Sequence, residues 1–491
     1  MERVRVRFAP SPTGFAHIGN MRNAVFDWLL AKHAGGEFIL RIEDTDRARY
    51  VEGALEEIFE ALRWLETPYD EGPVQGGPFG PYFQSERLDI YAKYAKQLVE
   101  QGDAYYCFCT SERLAEMRKG QEARKEPTGY DRTCLKLSPE EVEANLAAGV
   151  PAVIRFKVPH KGETAFCDLV RGEITFRNEL LDDFVIIKSD GYPTYHFASI
   201  VDDHLMQITH VIRSEEWISS TPKHMLMYAA LGWNPPKWVH PPLILGQDGS
   251  KLSKRHGAVR FLDYKEKGYL PETMMNFIAL LGWSPGEDRE LFTTEELIER
   301  FSIDGIVNHP VKFDLSKLDW MNGVYMRQAD LGRITKLCLP YLAEAGLIPE
   351  NPSPEELSYA KAVIALVQDR MKVLSEAPEL TEFFFRDDCR YDEKGMKKWL
   401  SRDYVPELLR NLAGRIEASA EFTIESLEEA VRMAGEDMDA HGGQVIHPVR
   451  MAVTCRTAGP GLFETMEVLG RARVIQRLNR TIGILSESRD D

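Results

Sequence analysis

Cysteine is scarce in this sequence: there are seven in 491 residues, and only Cys107, Cys109 and Cys134 lie near one another. A sparse, odd set predicts thiols or metal ligands rather than a disulfide framework. No segment approaches the roughly 20 apolar residues that a membrane-spanning helix needs. Arginines interrupt the N-terminus from Arg3 onward, where a signal peptide would have an apolar core. We therefore expect a cytoplasmic protein with no membrane partner.

A surplus of positive charge is also absent. The net charge of −17 excludes a surface that binds nucleic acid everywhere, although local basic stripes can still contact phosphates. With 44% hydrophobic and 28% charged residues, the composition is ordinary for a globular protein. A chain of 491 residues is too long for one core, so several domains are expected.

The chain opens with a predicted strand, turn and helix. Val4 to Phe8 predicts the strand, a turn rich in proline and glycine follows, and Met21 to His33 has apolar residues at helical spacing. His17 and Gly19 then lie at the helix N-terminus, where unpaired N–H groups and the helix dipole favour anions. Glycine also lets a ligand approach the backbone closely. This arrangement predicts a nucleotide site.

A loop rich in lysine follows the apolar stretch Leu243 to Leu245. Lys251 and Lys254 flank Ser253, and Arg255 comes next. Cations offset the charge that moves during attack on phosphorus, so this loop is suited to a triphosphate. Either segment alone is a weak signal. The two in this order resemble the HIGH and KMSKS signature motifs of class I aminoacyl-tRNA synthetases.

Strands and helices alternate over the first 95 residues or so, which predicts a parallel sheet whose ligands bind beyond the carboxyl ends of its strands. The predicted strand at 37–42 ends in Glu43, Asp44 and Asp46. Acids after a strand are usually a solvated turn. Here they face the same crevice as Arg7, which predicts that Glu43 accepts hydrogen bonds from a substrate ammonium group.

The alternation stops near Ala104, and short β-rich pieces between 152 and 188 indicate a small α/β insertion. From about 333 every convincing segment is helical, including predicted helices at 354–377 and 463–480. The last of these belongs to an amphipathic stretch, 462–480, that predicts either a solvated basic face or a contact with nucleic-acid phosphates. Its basic residues are Arg471, Arg473, Arg477 and Arg480.

Three further motifs, Arg41 to Asp46, Asp190 to His196 and Trp320 to Gly323, extend the resemblance. With them, the chain resembles the bacterial glutamyl-tRNA synthetases over essentially its whole length. The resemblance implies a Rossmann-type parallel sheet with an α/β insertion, followed by an all-helical anticodon-binding region. The implied segments are the catalytic domain at 1–103 and 196–250, the connective-peptide insertion at 104–195, which binds the tRNA acceptor end, the lysine-loop and stem-contact module at 251–332, and the anticodon-binding region at 333–491.

The activity that the resemblance implies is ligation of L-glutamate to tRNA(Glu) with ATP and Mg²⁺, through glutamyl-adenylate. For the oligomeric state, a monomer is the default expectation. The resemblance leaves open whether tRNA(Gln) is also charged. The implied catalytic residues are His17, Gly19, Lys251 and Lys254. The implied ATP-binding residues are Pro10, His17, Gly19, Asn20, Lys251, Ser253, Lys254 and Arg255. The implied glutamate-binding residues are Arg7, Ala9, Ser11, Glu43, Tyr195 and Arg213; Ser199 stands where some relatives have asparagine, which weakens any role for it.

The clustered cysteines allow two interpretations. A structural zinc ion wants four ligands in a tetrahedral array. Some relatives have Cys-x-Cys followed by Tyr-x-x-x-Cys, and Tyr130 lies four residues before Cys134, whereas Lys136 occupies the position where another pattern has histidine. The alternatives are therefore zinc held by Cys107, Cys109, Tyr130 and Cys134, or three buried thiols with no metal.

Three competing functions fit parts of the sequence. A glutaminyl-tRNA synthetase shares both signature motifs, but its relatives generally carry a β-barrel anticodon region, and this carboxyl half is predicted to be helical. A short glutamyl-queuosine type tRNA modifier shares the Tyr-x-x-x-Cys pattern but lacks the last third of the chain. A nucleotide- or tRNA-binding protein without catalysis has no use for the lysine loop and the acids of the pocket, and it would show no pyrophosphate exchange.

Overall fold

The computed structural model describes residues 3–252 and 260–490. The chain forms two compact units, the first comprising Met1–Tyr264 and Pro271–Leu315 and the second Lys265–Leu270 and Ser316–Asp491. The finer division into five segments stays a prediction. None of the helices in the described ranges has the length and apolar character needed to cross a membrane.

The first unit mixes strands and helices. Its strands are β1 (Arg5–Phe8), β2 (Glu37–Leu40), β3 (Ala104–Cys107), β4 (Val153–Phe156), β5 (Glu163–Asp168), β6 (Gly172–Arg177), β7 (Val185–Ile187), β8 (His210–Ile212), β9 (Lys237–Val239), β10 (Ile244–Leu245) and β11 (Val311–Lys312). Its helices are α1 (Ile18–Ala34), α2 (Ala54–Trp64), α3 (Leu88–Gln101), α4 (Ser111–Ala123), α5 (Pro139–Ala147), α6 (Tyr195–Leu205), α7 (Thr221–Leu231), α8 (Leu262–Glu266), α9 (Pro271–Ala279) and α10 (Thr294–Arg300), with α8 running two residues past the unit boundary.

In the described part of the chain, the first unit has four sheets, and the four-stranded one, in the order β6-β5-β9-β8, is mixed. β1 pairs with β2 and β8 with β9, both in parallel, and the Thr209 N–H donates to the Arg5 carbonyl at 2.9 Å between these pairs. β5 joins β9 in parallel through Asp168 and Trp238, and β6 is antiparallel to β5. The hairpin from the predicted insertion therefore extends the same sheet. Because the parallel strands end at one edge, residues that follow them meet there.

The second unit is all-helical over its described residues, which confirms the helical prediction for the carboxyl third. Its helices are α11 (Leu315–Gln328), α12 (Leu331–Glu344), α13 (Pro354–Ala365), α14 (Ala377–Phe385), α15 (Glu393–Gly395), α16 (Val405–Ala418), α17 (Ile424–Glu436), α18 (Gly443–Thr454), α19 (Leu462–Leu469) and α20 (Arg471–Asp490). One apolar core, built mainly of leucine, valine and alanine, lies between α13, α14 and α16 to α20.

Three predicted helices are wrong in extent, and glycine or proline interrupts two of them. The amphipathic pattern at 264–281 predicts a single helix, but the range holds two, since Gly268 has φ +86° and Pro271 begins α9. The predicted helix at 354–377 ends at Ala365, as α13. The predicted helix at 463–480 is divided between α19 and α20 at Gly470, where φ is +83°. Apolar periodicity alone does not reveal these breaks.

The solvated basic face predicted for 462–480 is wrong, because its arginines bind backbone carbonyls. Arg473 donates to the Phe384 carbonyl at 2.6 Å, and buried Arg477 donates to the Val453 and Phe383 carbonyls, both at 2.7 Å. These carbonyls lie in the last turns of α14 and α18, where intrahelical donors are missing. Guanidinium groups there also complement the helix dipoles.

The expectation of free thiols is wrong for one pair of cysteines. Cys389 and Cys455 are joined by a disulfide bond within the second unit. The other five, Cys107, Cys109, Cys134, Cys167 and Cys338, are free thiols.

Candidate active site

The carboxyl ends of the parallel strands border a cavity of about 730 Å³, a volume in the ordinary range for small-molecule sites. Arg7 comes from the end of β1, Glu43 follows β2, Arg213 follows β8, and Tyr195 begins α6. The cavity brings together these predicted site residues: Arg7, Ala9, Pro10, Ser11, Asn20, Glu43, Tyr195 and Arg213.

A buried ion network lies beside the cavity. Asp203 on α6 accepts hydrogen bonds from Arg7 Nε at 3.1 Å and from Arg41 Nη1 at 2.8 Å. Arg41 Nη2 in turn donates to Glu43 Oε1 at 3.1 Å. Burial disfavours the charged carboxylate, but the charges of Arg7 and Arg41 outweigh it and hold the pKa of Asp203 below its usual value. Asp203 therefore fixes both arginines, and Arg41 fixes Glu43.

Glu43 keeps one carboxylate oxygen for a ligand. Its Oε1 atom pairs with Arg41, and Oε2 has no hydrogen bond to any residue within 3–252 or 260–490. Burial raises the pKa of Glu43 to about 7, with Arg41 and Arg7 opposing that rise. The group is therefore partly protonated near neutral pH, and a cationic ligand would favour its ionised form.

Arg213 is a buried cation held by neutral groups. Its acceptors are His240 Nε2 (3.1 Å), Tyr195 Oη (3.2 Å), His224 Nδ1 (3.4 Å), Thr221 Oγ1 (2.8 Å) and the Trp217 carbonyl (3.5 Å). Its guanidinium carbon lies 4.8 Å from the centre of the Trp238 ring. No carboxylate of the described residues forms an ion pair with Arg213, in contrast to Arg7 and Arg41. Its charge is therefore available to an anion in the cavity.

The histidines beside Arg213 are neutral. Burial, and then the charge of Arg213, places the pKa of His224 well below its ordinary value. Burial lowers the pKa of His240 as well, although its hydrogen bond to Asp168 opposes this. Since a guanidinium group has only donors, each histidine offers Arg213 a lone pair.

His17 caps α1 at the other predicted subsite. Its Nδ1 atom accepts the Gly19 N–H at 3.1 Å and the Asn20 N–H at 3.4 Å. A Cβ at Gly19 would lie 3.1 Å from the His17 ring, so glycine leaves room for this cap. Desolvation of the ring, and then the charge of Lys251, lowers the pKa of His17.

Lys251 lies close enough to His17 to act on its charge state, and its Nζ atom is 2.5 Å from Glu216 Oε1. His17, Gly19 and Lys251 are not in the cavity wall but at the N-terminus of α1 beside it. The other predicted residues of the lysine loop, Ser253, Lys254 and Arg255, lie outside the described residues.

Sequence reasoning assigned no role to several residues of the site. Asp203 and Asp202 interrupt the apolar pattern of α6, and two buried acids in succession were a usable signal. Asp27 lines the cavity, and both of its carboxylate oxygens are buried and have no hydrogen-bond partner among the described residues. Burial raises the pKa of Asp27 well above its ordinary value, with the charge of Arg7 opposing that rise. Trp217 lies in the wall with its ring 4.5 Å from that of Tyr195.

The predicted metal ligands converge in a separate cluster. The sulfur atoms of Cys107, Cys109 and Cys134 lie within 4.8 Å of one another. Tyr130 Oη is 3.4 Å from both Cys107 Sγ and Cys109 Sγ. The guanidinium carbon of Arg155 lies 4.2 Å from the centre of the Tyr130 ring. Burial opposes the charged form of Cys107, but hydrogen bonds with Tyr130 and Arg155 outweigh it and lower the pKa of this thiol. Three thiols and one phenol around a common centre fit a four-coordinate metal.

Comparison with known families agrees with this architecture. A family model described as class I tRNA synthetases (E and Q), catalytic domain, matches residues 3–320. A second model, described as an anticodon binding domain, matches residues 333–482. Together they confirm the predicted fold class, with a mixed rather than wholly parallel sheet.

Full-length relatives make the assignment more specific. The chain is 50% identical over 485 residues to a protein named glutamate–tRNA ligase from Dehalococcoides mccartyi, with 99% of each chain covered. It is 46% identical over 488 residues to the protein of that name from Moorella thermoacetica, covering 99% of this chain and all of the relative. A crystal structure of a glutamate tRNA ligase from Elizabethkingia meningosepticum, in complex with its amino acid, has a TM-score of 0.91 at 38% identity, covering 99% of this chain and 100% of that one. The chain therefore belongs to the class I tRNA synthetases (E and Q), as an enzyme of the glutamate–tRNA ligase group.

Proposed function

We propose that the enzyme ligates L-glutamate to tRNA(Glu) at the expense of ATP, through glutamyl-adenylate. The observation that carries this proposal is the charge of Arg213, which is buried at the cavity and held only by neutral acceptors among the described residues. A carboxylate on the substrate side chain supplies the missing negative charge. The hydrogen bonds so formed are charge-assisted and about twice as strong as neutral ones.

The other end of glutamate is assigned to Glu43. Its second carboxylate oxygen accepts from the substrate ammonium group, while Arg41 holds the first oxygen in place. Arg7 supports the side-chain carboxylate together with Arg213, since both line the cavity. The remaining predicted contacts are Ala9, Ser11 and Tyr195, which lie in the same wall.

ATP is assigned to the N-terminus of α1, where backbone N–H groups and the helix dipole attract phosphates. His17, which is neutral, orients a phosphate by donating a hydrogen bond, and Gly19 leaves the backbone accessible. Pro10 and Asn20 contribute from the cavity wall. Lys251 and the predicted Ser253, Lys254 and Arg255 act on the departing diphosphate, and Mg²⁺ arrives bound to the phosphates of ATP.

The reaction takes two steps. First, an oxygen of the glutamate α-carboxylate attacks the α-phosphorus of ATP, and the bond to the bridging oxygen breaks to release diphosphate. Second, a terminal ribose hydroxyl of tRNA attacks the activated carbonyl, loses its proton, and expels AMP. Positioning and electrostatic stabilisation by the residues above accelerate both steps without a covalent enzyme intermediate.

Glutamine is excluded by the same charges. Its carboxamide leaves Arg213 without an anion, and a site of buried polar groups that are left unpaired can discriminate on the order of 10⁴-fold without editing. The proposed partners are L-glutamate and tRNA(Glu). We assign the tRNA acceptor end to segment 104–195, the stem to 251–332 and the anticodon to 333–491. Charging of tRNA(Gln) is a matter for experiment, and we expect a monomer that acts in the cytoplasm, where ATP and tRNA are found.

We also propose a structural zinc ion on Cys107, Cys109, Tyr130 and Cys134. The convergence of four donor atoms supports this proposal over the alternative of three thiols with no metal. Zinc there would join β3 to the segment that contains Tyr130 and Cys134, since these donors come from separate parts of the insertion. No step of the reaction uses it.

The test is ATP–pyrophosphate exchange with glutamate or glutamine, each with and without purified tRNA(Glu) or tRNA(Gln). We expect exchange with glutamate in the presence of tRNA(Glu), because the resemblance implies activation only with tRNA bound. Exchange with glutamine at a comparable rate would contradict the assignment of Arg213. Absence of exchange with every combination would favour a binding protein without catalysis.

A further inference from the structure

Behind Arg213 lies a second layer of buried groups that the proposed reaction does not use. His240 Nε2 accepts from Arg213 Nε at 3.1 Å, and His240 Nδ1 lies 2.6 Å from Asp168 Oδ2. The side chains of His240 and Asp168 are both wholly buried. Since Arg213 can only donate, His240 Nε2 must accept, and the proton of the neutral ring lies on Nδ1, where it is donated to Asp168.

Asp168 is itself rigidly held. It ends β5, and its Oδ1 atom accepts the N–H groups of Val170 and Arg171, both at 3.0 Å. Arg171 forms an ion pair with Glu215, two residues beyond Arg213. The turn of the β5–β6 hairpin is thus fixed at two points beside the strand end that carries Arg213.

The order of these groups has an electrostatic consequence. If a carboxylate touched Arg213 directly, it would offset the positive charge of the guanidinium, as Asp203 offsets part of the charge of Arg7 and Arg41. Here a neutral imidazole separates the acid from the arginine. Asp168 therefore orients His240, His240 orients Arg213, and the positive charge remains available to the cavity.

We propose that His240 and Asp168 are positioning residues that set amino-acid specificity: they fix Arg213 through a neutral acceptor, so that its charge selects a carboxylate side chain over a carboxamide. This inference rests on the proposed function, in which Arg213 binds the substrate side chain. It adds two residues that touch no substrate. Their effect is on the selection of the amino acid rather than on the binding of ATP.

The test compares His240→Gln with His240→Glu. Both side chains have the same size and place an oxygen acceptor toward Arg213, but only glutamate adds a negative charge. Exchange is measured with tRNA(Glu) for glutamate and for glutamine, together with KM for ATP and the thermal midpoint. We expect His240→Gln to lose less than about tenfold in kcat/KM for glutamate, since a neutral hydrogen bond is retained. For His240→Glu we expect kcat/KM for glutamate to fall a further ~100-fold, and the ratio of kcat/KM for glutamine to kcat/KM for glutamate to rise. KM for ATP should stay within about threefold of wild type.

The outcomes are separable. If wild type shows no glutamate-dependent exchange, the proposed function fails. If wild type is active but the two variants lose glutamate activity equally, His240 acts by packing alone and this inference is overturned. A His240→Glu variant that keeps the wild-type preference for glutamate also overturns it. Asp168→Ala provides an independent check: a parallel rise in KM for glutamate and for ATP would show a general structural role and count against the proposal, whereas a rise confined to glutamate supports it.

Discussion

Glutamate binding should weaken as the pH falls through 7, because Glu43 must be ionised to accept the substrate ammonium group. Burial raises the pKa of this carboxyl to about 7 in the free enzyme. Binding of the substrate ammonium group requires ionised Glu43. This form of Glu43 predominates above its pKa and is lost as the pH falls below that value. For one group of this pKa the apparent KM at pH 6 exceeds that at pH 8 by about tenfold.

The substitution Glu43→Gln isolates this group. Glutamine keeps the shape and can still accept a hydrogen bond, but the charge is gone. Loss of one charge-assisted hydrogen bond weakens binding by about 1.5–3 kcal/mol, or ~10- to 150-fold in KM for glutamate. The variant should also lose the tenfold pH dependence, because no group at this position titrates between pH 6 and 8. Arg41 stays paired with Asp203, so the network beside the cavity is preserved.

The assay is pyrophosphate exchange at saturating ATP and tRNA(Glu), with glutamate varied at pH 6, 7 and 8. The matched control is Glu126→Gln, which removes the same charge from an exposed pair with Arg124 and should leave both KM and its pH dependence unchanged. A wild-type KM that is flat between pH 6 and 8 would refute the assignment. A Glu43→Gln variant that keeps the tenfold ratio would place the titrating group elsewhere.

Three other outcomes follow from the structure. Arg213→Ala should raise KM for glutamate by ~100-fold or more and KM for ATP by less than about threefold; an equal loss in both would contradict its assignment to the amino acid. Metal analysis of the purified protein should find about one zinc ion per chain. The zinc should be lost in Cys134→Ser and kept in Cys167→Ser, because Cys167 is an exposed cysteine outside the cluster. Finding no zinc in the wild-type protein would favour the alternative of three thiols without a metal. Arg477→Met should lower the unfolding free energy by about 3–5 kcal/mol, since several buried carbonyls lose their donor. The salt dependence of tRNA binding should change little. If the slope of the logarithm of the binding constant against the logarithm of salt concentration fell in magnitude by about one, Arg477 would instead contact a phosphate.

Residues that follow a strand could be predicted from the sequence. The role of Arg213 came from the resemblance to a known family rather than from local pattern. Arg7, however, lies near the end of β1, and Glu43 follows β2. Because parallel strands bring such ends to one edge, the common cavity of these two residues followed from local pattern and topology. Their partners could not be predicted in this way. Asp203 lies 196 positions from Arg7, and nothing in the local sequence shows which buried acid faces which arginine.

The arginines of α20 show the same difficulty in the opposite direction. Their clustering predicted either a solvated basic face or a contact with phosphates, since both are common for several arginines on one helix. The structure places Arg473 and Arg477 against the ends of other helices, whose unpaired carbonyls attract the same chemistry as a phosphate does. Charge pattern alone does not distinguish these two acceptors. The boundary between α19 and α20 was missed because Gly470 leaves the helical spacing of apolar residues intact on either side, so that spacing alone does not show where one helix ends.

Four of the five residues from Arg213 to Trp217 contact different parts of the structure. Arg213 faces the cavity, Glu215 binds the hairpin at Arg171, Glu216 binds Lys251, and Trp217 packs on Tyr195. Removing or adding one amino acid here would shift every later side chain off its neighbour at once. This short stretch should therefore be intolerant of any change in length.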